Sequence, residues 1–422
     1  MDEGSDDPET VRLRYAWMNL TDSEDPPVLV FQFGGPGSSA VEFLARLVPL
    51  LPDWLTDRYA VVGMDEIGVG GSVPIRCPSL GMAVDEDYLH PFVDSSTQGH
   101  VNTWRDSTFA CQTSYRYADQ IGTERHARDL ERLRIELQKD ELHFFTYSYG
   151  TKVALTYAAQ FPARVGRMVL DSPVDPRVSH VEQLRLQTLA RNRSLLRFLD
   201  WCDARAECTF SRDDFLAAFD RLSERSPSSA IEFLIILQGL LFELQWPSVA
   251  SSLAAVLPDV DTAPRLVNSR ATIVVPPAFV ATVCADSVLG GFEQISAERA
   301  MLFEQLDTTI PAAYFSDVFN GAYACVYWPT RPSRIDWPSV FAQHQFEALM
   351  VNSTGDTRAP REYADALGVA LPDAARVRVD EFSHSVSLQG INSCVDDRVM
   401  AFLTGMPGEV SETVDCPKST AP

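Results

Sequence analysis

Three side chains in this 422-residue chain could together break an acyl bond: Ser148, Asp356 and His384. A serine hydroxyl becomes a competent nucleophile when an imidazole takes its proton and a carboxylate fixes that imidazole's tautomer. Ser148 lies in the run Phe144-Phe145-Thr146-Tyr147-Ser148-Tyr149-Gly150-Thr151. An apolar stretch from Leu142 leads into it and a helix-like stretch to Gln160 follows. This reads as strand, sharp turn and helix, with the hydroxyl lifted out at a helix N-terminus. Only the second half of the Gly-x-Ser-x-Gly pattern is present, because Thr146 stands at the first glycine's place. Asp356 follows the apolar run Ala348 to Asn352, and His384 follows the strand-like run Ala375 to Val379. Asp380, four residues before His384, is a competing acid, but its place at the strand end favours Asp356. The other histidines (His90, His100, His126, His143, His180 and His344) read as surface or packing residues.

Acyl transfer also needs donors for the oxyanion. The backbone N–H of Tyr149, just after the nucleophile, is one. The second is expected from Gly34-Gly35-Pro36-Gly37, which ends the early apolar run Pro27 to Phe33. Pro36 has no N–H and glycines permit close backbone approach, so Gly35 is the candidate.

These groups must be positioned by a scaffold. Apolar, non-alternating runs at 27–33, 59–64, 142–147, 167–170 and 348–352 read as buried strands, and 375–379 as a further strand, with helical stretches at 38–48, 123–137, 151–160 and 360–367 between them. Such alternation means an α/β fold with a mostly parallel sheet covered on both faces. Sites form at the C-terminal edge of such sheets, where Ser148, Asp356 and His384 fall in the order serine, acid, histidine known for hydrolases built this way. The pattern breaks after Pro176. Residues 177–339 are mainly helical, with helices expected at 181–199, 213–222, 231–241, 246–257 and 297–306. They read as a cap inserted between a first core part, 1–176, and a second, 340–422.

Hydrophobic residues make up 45% of the chain, enough for a sizeable core. Acidic residues outnumber basic ones 58 to 35, a net charge of −23, which argues against nucleic acid or an anionic membrane as partner. No apolar run reaches membrane-spanning length, so no membrane insertion is expected. The eight cysteines include no Cys-x-x-Cys pair, and no metal or organic cofactor is indicated. Their even number suggests disulfides and an oxidising compartment. The start, Met1 to Asp7, is polar and acidic, so an exported protein would have lost its leader before this point.

The motifs taken together resemble the α/β-hydrolase family of proline iminopeptidases and, more closely, secreted tripeptidyl aminopeptidases of actinomycete type. The resemblance rests on Phe33 to Ser39 (FGGPGSS), on Val61 to Cys77, on Thr123 to Leu137, and on Phe144 to Pro176 through the elbow and the following strand. Val283 to Ser287, Ala324 to Pro329, and the segments around Cys394 and Cys416 extend it; the cap matches weakly. It implies an α/β-hydrolase fold, a serine peptidase activity and the pairing Cys77–Cys111, Cys202–Cys208, Cys284–Cys325 and Cys394–Cys416. The chain departs from the pattern at Glu66, Ile67, Thr146 and Ser383, none of them a member of the triad.

The expected activity is thus that of a secreted serine aminopeptidase acting on peptides. An aminopeptidase must recognise a free α-ammonium, and the resemblance implies cap acids in that role; Asp286, Glu232 and Glu243 are the candidates. The alternative is a carboxylesterase or lipase-like hydrolase of small esters with the same triad, since the cap is rich in apolar residues such as Phe233 to Leu237. A non-catalytic binding protein on the same scaffold is the third reading, raised by Thr146 and Ser383. Oligomeric state has no signal in the sequence.

Overall fold

The computed structural model describes residues 10–77, 94–206, 208–225, 236–257, 276–287, 291–306, 322, 324–328, 333–405 and 413–419. The described strands form one eight-stranded sheet in the order β1-β3-β2-β4-β5-β6-β7-β8. These are β1 Tyr15–Met18, β2 Val28–Gln32, β3 Ala60–Met64, β4 Leu142–Tyr147, β5 Val165–Asp171, β6 Ala348–Ser353, β7 Ala375–Val379 and β8 Thr413–Cys416. Only β1 runs antiparallel to its neighbour, β3; every other pairing is parallel.

The central strands are apolar throughout because both faces are covered. In β2, Val28 and Val30 point into one core and Leu29 and Phe31 into the other; in β4 the same division separates Phe144 from Phe145. The first face packs on α4 (Thr123–Glu136) and α5 (Tyr149–Gln160), and the second on α1 (Ala40–Leu47) and α13 (Ser393–Thr404). The short α2 (Asp53–Thr56) precedes β3, and α3 (Asp94–Ser114) follows it.

Between β5 and β6 the chain leaves the sheet. It forms α6 (His180–Asp203), α7 (Arg212–Arg225), α8 (Trp246–Val256), α9 (Pro277–Asp286), α10 (Phe292–Gln305) and α11 (Trp337–Gln343). Helices α6, α7 and α8 share a core of their own around Phe198, Phe215 and Trp246. Helix α9 does not join it. Ala278, Val280, Ala281 and Cys284 pack instead with Ile67, Val69, Ile75, Tyr115 and Ile121 from the loops that follow β3 and α3. Trp337 and Phe341 of α11 lie in the sheet core near Leu367 of α12 (Arg361–Ala370). Of the expected helix 231–241, residues 231–235 lie outside the described residues, and Gln238–Leu241 is a short 3-10 turn.

Four disulfides join Cys77 to Cys111, Cys202 to Cys208, Cys284 to Cys325 and Cys394 to Cys416. Such bonds form and persist in oxidising compartments. Among the described residues no helix is long and apolar enough to cross a membrane.

Candidate active site

Ser148 is the residue between β4 and α5, with φ 54° and ψ −124°. A non-glycine residue at positive φ is strained, and the surroundings hold it there. Its N–H donates to Asp171 O at 2.8 Å, and its carbonyl accepts from Thr151 N at 2.9 Å and from the Thr151 hydroxyl at 2.6 Å. The bend brings backbones so close that two glycines are required. A Cβ on Gly150 would stand 2.4 Å from Gln32 O, and one on Gly34 would stand 2.3 Å from Ser148 Cβ. Thr146 needs no such space: it is fully buried and its hydroxyl donates to Val169 O on β5 at 2.8 Å.

His384 Nδ1 lies 2.9 Å from both oxygens of Asp356. A carboxylate only accepts, so Nδ1 carries the proton and Nε2 is left as the acceptor a serine hydroxyl requires. Asp356 is buried, and its Oδ1 also accepts from the N–H groups of Arg358 and Ala359, each at 2.8 Å. Asp380 is turned away: it is exposed and accepts from the Thr354 hydroxyl at 2.9 Å. Ser148, Tyr149, Gly34, Gly35 and His384 all line one cleft of about 1900 Å³. Gly35 has φ +75°, and its carbonyl accepts from Ser38 N at 3.2 Å to close the turn.

The histidine loop is held from two sides. Asp171, at the end of β5, accepts from Val386 N at 3.0 Å and Ser387 N at 2.7 Å, and Ser172 Oγ accepts from Ser385 N at 2.8 Å. Burial raises the Asp171 carboxyl to about 6, although those two N–H bonds pull it down. From the helical segment, Leu241 O accepts from His384 N at 3.1 Å and Glu243 N donates to Phe382 O at 2.7 Å. Phe382 then packs against Trp246, with ring centroids 5.4 Å apart.

The glycine turn has its own brace. Gly37 N donates to Glu66 Oε1 at 2.8 Å, and among the described residues none lies within close hydrogen-bond geometry of the second oxygen of this buried carboxyl. Burial lifts Glu66 from 4.5 to about 7; the Gly37 bond opposes this, and the nearby Asp286 and Asp65 carboxylates add to it.

The three acids proposed for ammonium binding separate. Asp286 lines the cleft, but its carboxylate is taken up by Lys152 Nζ at 2.9 Å, Thr123 N at 2.9 Å and the Thr123 hydroxyl. Glu243 is not among the residues lining the cleft; it accepts from Lys418 Nζ at 2.5 Å, in the tail that the Cys394–Cys416 bond secures. Glu232 lies outside the described residues. His180, read as a surface or packing residue, opens α6 and lines the cleft, and burial lowers its imidazole to about 4. Asp171, Thr123 and Lys152 line or brace the site without having been marked by the sequence, and Glu66 was marked there only as a departure from the family pattern. Asp171 alone carried a signal, being the terminal residue of the strand beside the elbow.

The profile of the alpha/beta hydrolase fold matches residues 27–391. The chain belongs to the α/β-hydrolase family. Over 424 aligned residues this α/β-hydrolase is 26% identical to the serine protease Hip1 of Mycobacterium tuberculosis H37Rv, covering 89% of this chain and 78% of that protein. It is 32% identical to the tripeptidyl aminopeptidase of Streptomyces lividans over 161 residues, 37% of this chain and 30% of that one. It is 35% identical to carboxylesterase B of M. tuberculosis CDC 1551 over 157 residues, 36% of this chain and 30% of that one. The chain is a serine hydrolase.

Proposed function

We propose that this serine hydrolase is an exported aminopeptidase, with Ser148, His384 and Asp356 as its triad. Ser148 Oγ attacks the scissile carbonyl while His384 Nε2 takes its proton. The N–H groups of Gly35 and Tyr149 receive the negative oxygen of the tetrahedral intermediate. His384 then gives the proton to the departing amine, leaving an acyl-enzyme. A water molecule, deprotonated by the same imidazole, hydrolyses the ester and frees Ser148. Asp356 holds the imidazole and stabilises its charge through both steps. Residues 177–339 act as a cap that restricts which chain end can enter, and the α-ammonium is received by a cap carboxylate, for which Glu232 stands as the candidate.

The observation that carries this reading is the cleft over Ser148. Its volume of about 1900 Å³ exceeds the roughly 300–1,000 Å³ of small-molecule sites, and charged side chains such as Glu124, Arg128 and Lys152 line it. That suits several residues of a polar peptide. The four disulfides support export. The esterase reading is favoured by a different observation, the apolar wall of Phe33, Phe43, Leu47 and Phe279 in the same cleft. Hydrolysis of a free-amine tripeptidyl anilide, its N-acetylated twin and a short acyl ester separates the two. The aminopeptidase cleaves the free-amine anilide far faster than its twin, and Ser148→Ala abolishes this. Cleavage of the ester alone rejects it.

A further inference from the structure

Helix α9 touches both walls of the proposed oxyanion hole. At its start, the backbone of Phe279 lies against the glycine turn, where a Cβ on Gly37 would stand 2.4 Å from Phe279 N. At its end, Asp286 reaches the two helices beside the nucleophile. Ten residues of helix span about 15 Å, so one rigid element bridges the two donor-bearing segments. The Cys284–Cys325 bond fixes this helix two residues before Asp286.

The contacts of Asp286 are those of a clamp. Helix α4 begins at Thr123 with Gly122 before it, so its own chain supplies no capping side chain. Asp286 Oδ1 takes that place from another element by accepting from Thr123 N at 2.9 Å. Gly122, at φ +135°, leaves the room: a Cβ there would stand 3.2 Å from Asp286 Oδ1. Asp286 Oδ2 accepts from the Thr123 hydroxyl and from Lys152 Nζ. The Thr123 oxygen also lies 2.7 Å from the Tyr149 hydroxyl. Thr123 has one hydroxyl proton and gives it to Asp286, so Tyr149 must be the donor in the second bond. The relay runs from Tyr149 O–H to Thr123 O–H to the Asp286 carboxylate. Burial keeps the Tyr149 phenol far above its ordinary range and hence protonated. Tyr149 and Lys152 both lie in the first turn after Ser148.

We propose that Asp286 is a positioning residue of the hydrolytic step, holding the first turn of α5 through Lys152 and the Thr123–Tyr149 relay so that the Tyr149 N–H is aimed at the oxyanion. In this role the helical segment between β5 and β6 completes the acyl-transfer machinery as well as covering it. The inference builds on the proposed triad but not on the choice between peptide and ester.

Asp286→Asn, Asp286→Glu, Tyr149→Phe and wild type are compared on the free-amine tripeptidyl anilide and on the short acyl ester, with kcat and KM determined separately. Losing an oxyanion donor costs about 10²–10³ in kcat, and a donor left in place but loosened loses part of that, on the order of 10–100-fold for Asp286→Asn. The fall lies in kcat, with KM within about threefold, and has the same size on ester and anilide. Asp286→Glu recovers part of it. Tyr149→Phe, which keeps the N–H and removes only the relay, loses kcat on both substrates by a smaller factor. Should the Asp286 variants fail to fold, Tyr149→Phe decides by itself. A rise in KM confined to the free-amine anilide overturns the proposal and makes Asp286 the ammonium ligand. Unchanged kcat in Tyr149→Phe or in Asp286→Asn overturns it as well. If the wild type cleaves only the ester, the aminopeptidase reading fails, while the ester arm still tests the clamp.

Discussion

Replacing Glu66 by glutamine should make the protein more resistant to rising pH. The Glu66 carboxyl is buried and titrates at about 7 rather than 4.5. Between those values the folded chain holds a proton that the unfolded chain has released. Stability therefore falls as pH rises through this window, and the loss is complete above about 7. At 1.36 kcal/mol per pH unit the total is roughly 3 kcal/mol. For 422 residues, with about 2.1 cal/mol/K of unfolding entropy each, that corresponds to about 4 °C in Tm. Glutamine keeps an oxygen for Gly37 N but cannot ionise. It also places an amide where Oε2 lies, which adds a constant offset. The quantity to read is thus the change of the difference with pH. Denaturant unfolding of wild type and Glu66→Gln at intervals from pH 4.5 to 8.5, with disulfides intact, gives it. The variant should gain about 3 kcal/mol on wild type across this range. A difference that stays flat, or that moves the other way, would refute a buried, proton-binding Glu66.

Other substitutions test other parts. Gly34→Ala puts a Cβ 2.3 Å from Ser148 Cβ, and kcat/KM should fall on the order of 10²-fold as nucleophile and oxyanion turn are pushed apart. Asp356→Asn should lower kcat by about 10⁴ with the fold retained, since the imidazole is then free to adopt the wrong tautomer. Replacing both Cys394 and Cys416 by alanine opens a bridge of sequence separation 22, and denaturant unfolding should show a loss of about 3 kcal/mol. The same change frees the tail whose Ser419 N–H donates to Glu381 and whose Lys418 pairs with Glu243, so limited proteolysis should first cut there.

The elements that carry strong local signals were legible from the sequence. Strand β4 covers Leu142–Tyr147, the range its apolar run marks out, and β7 covers Ala375–Val379, where apolar residues alternate with Arg376 and Arg378. Helix α3, Asp94–Ser114, was not, because its polar sequence shows little apolar periodicity and its support comes from Cys111 and from Gln112, which donates to Tyr327 O. Helix α9 was hidden by paired prolines and β-branched residues; its burial among residues from distant loops makes up for the low propensity. Strand β8 is four residues long at the sheet edge, too short for a periodic signal. For the site, chain order and strand ends suffice to nominate Ser148, Asp356 and His384. The bracing residues are another matter. Glu66, Thr123, Lys152 and Asp286 come from one loop and three helices, and no spacing along the chain encodes their meeting.

Everything proposed for the site requires Ser148 to be a nucleophile activated by His384. The most direct measurement is labelling with a fluorophosphonate, followed by peptide mapping. One adduct per chain is expected, on Ser148, formed slowly or not at all in His384→Ala and absent in Ser148→Ala. An adduct on another residue, or no adduct on a folded protein, would contradict that role.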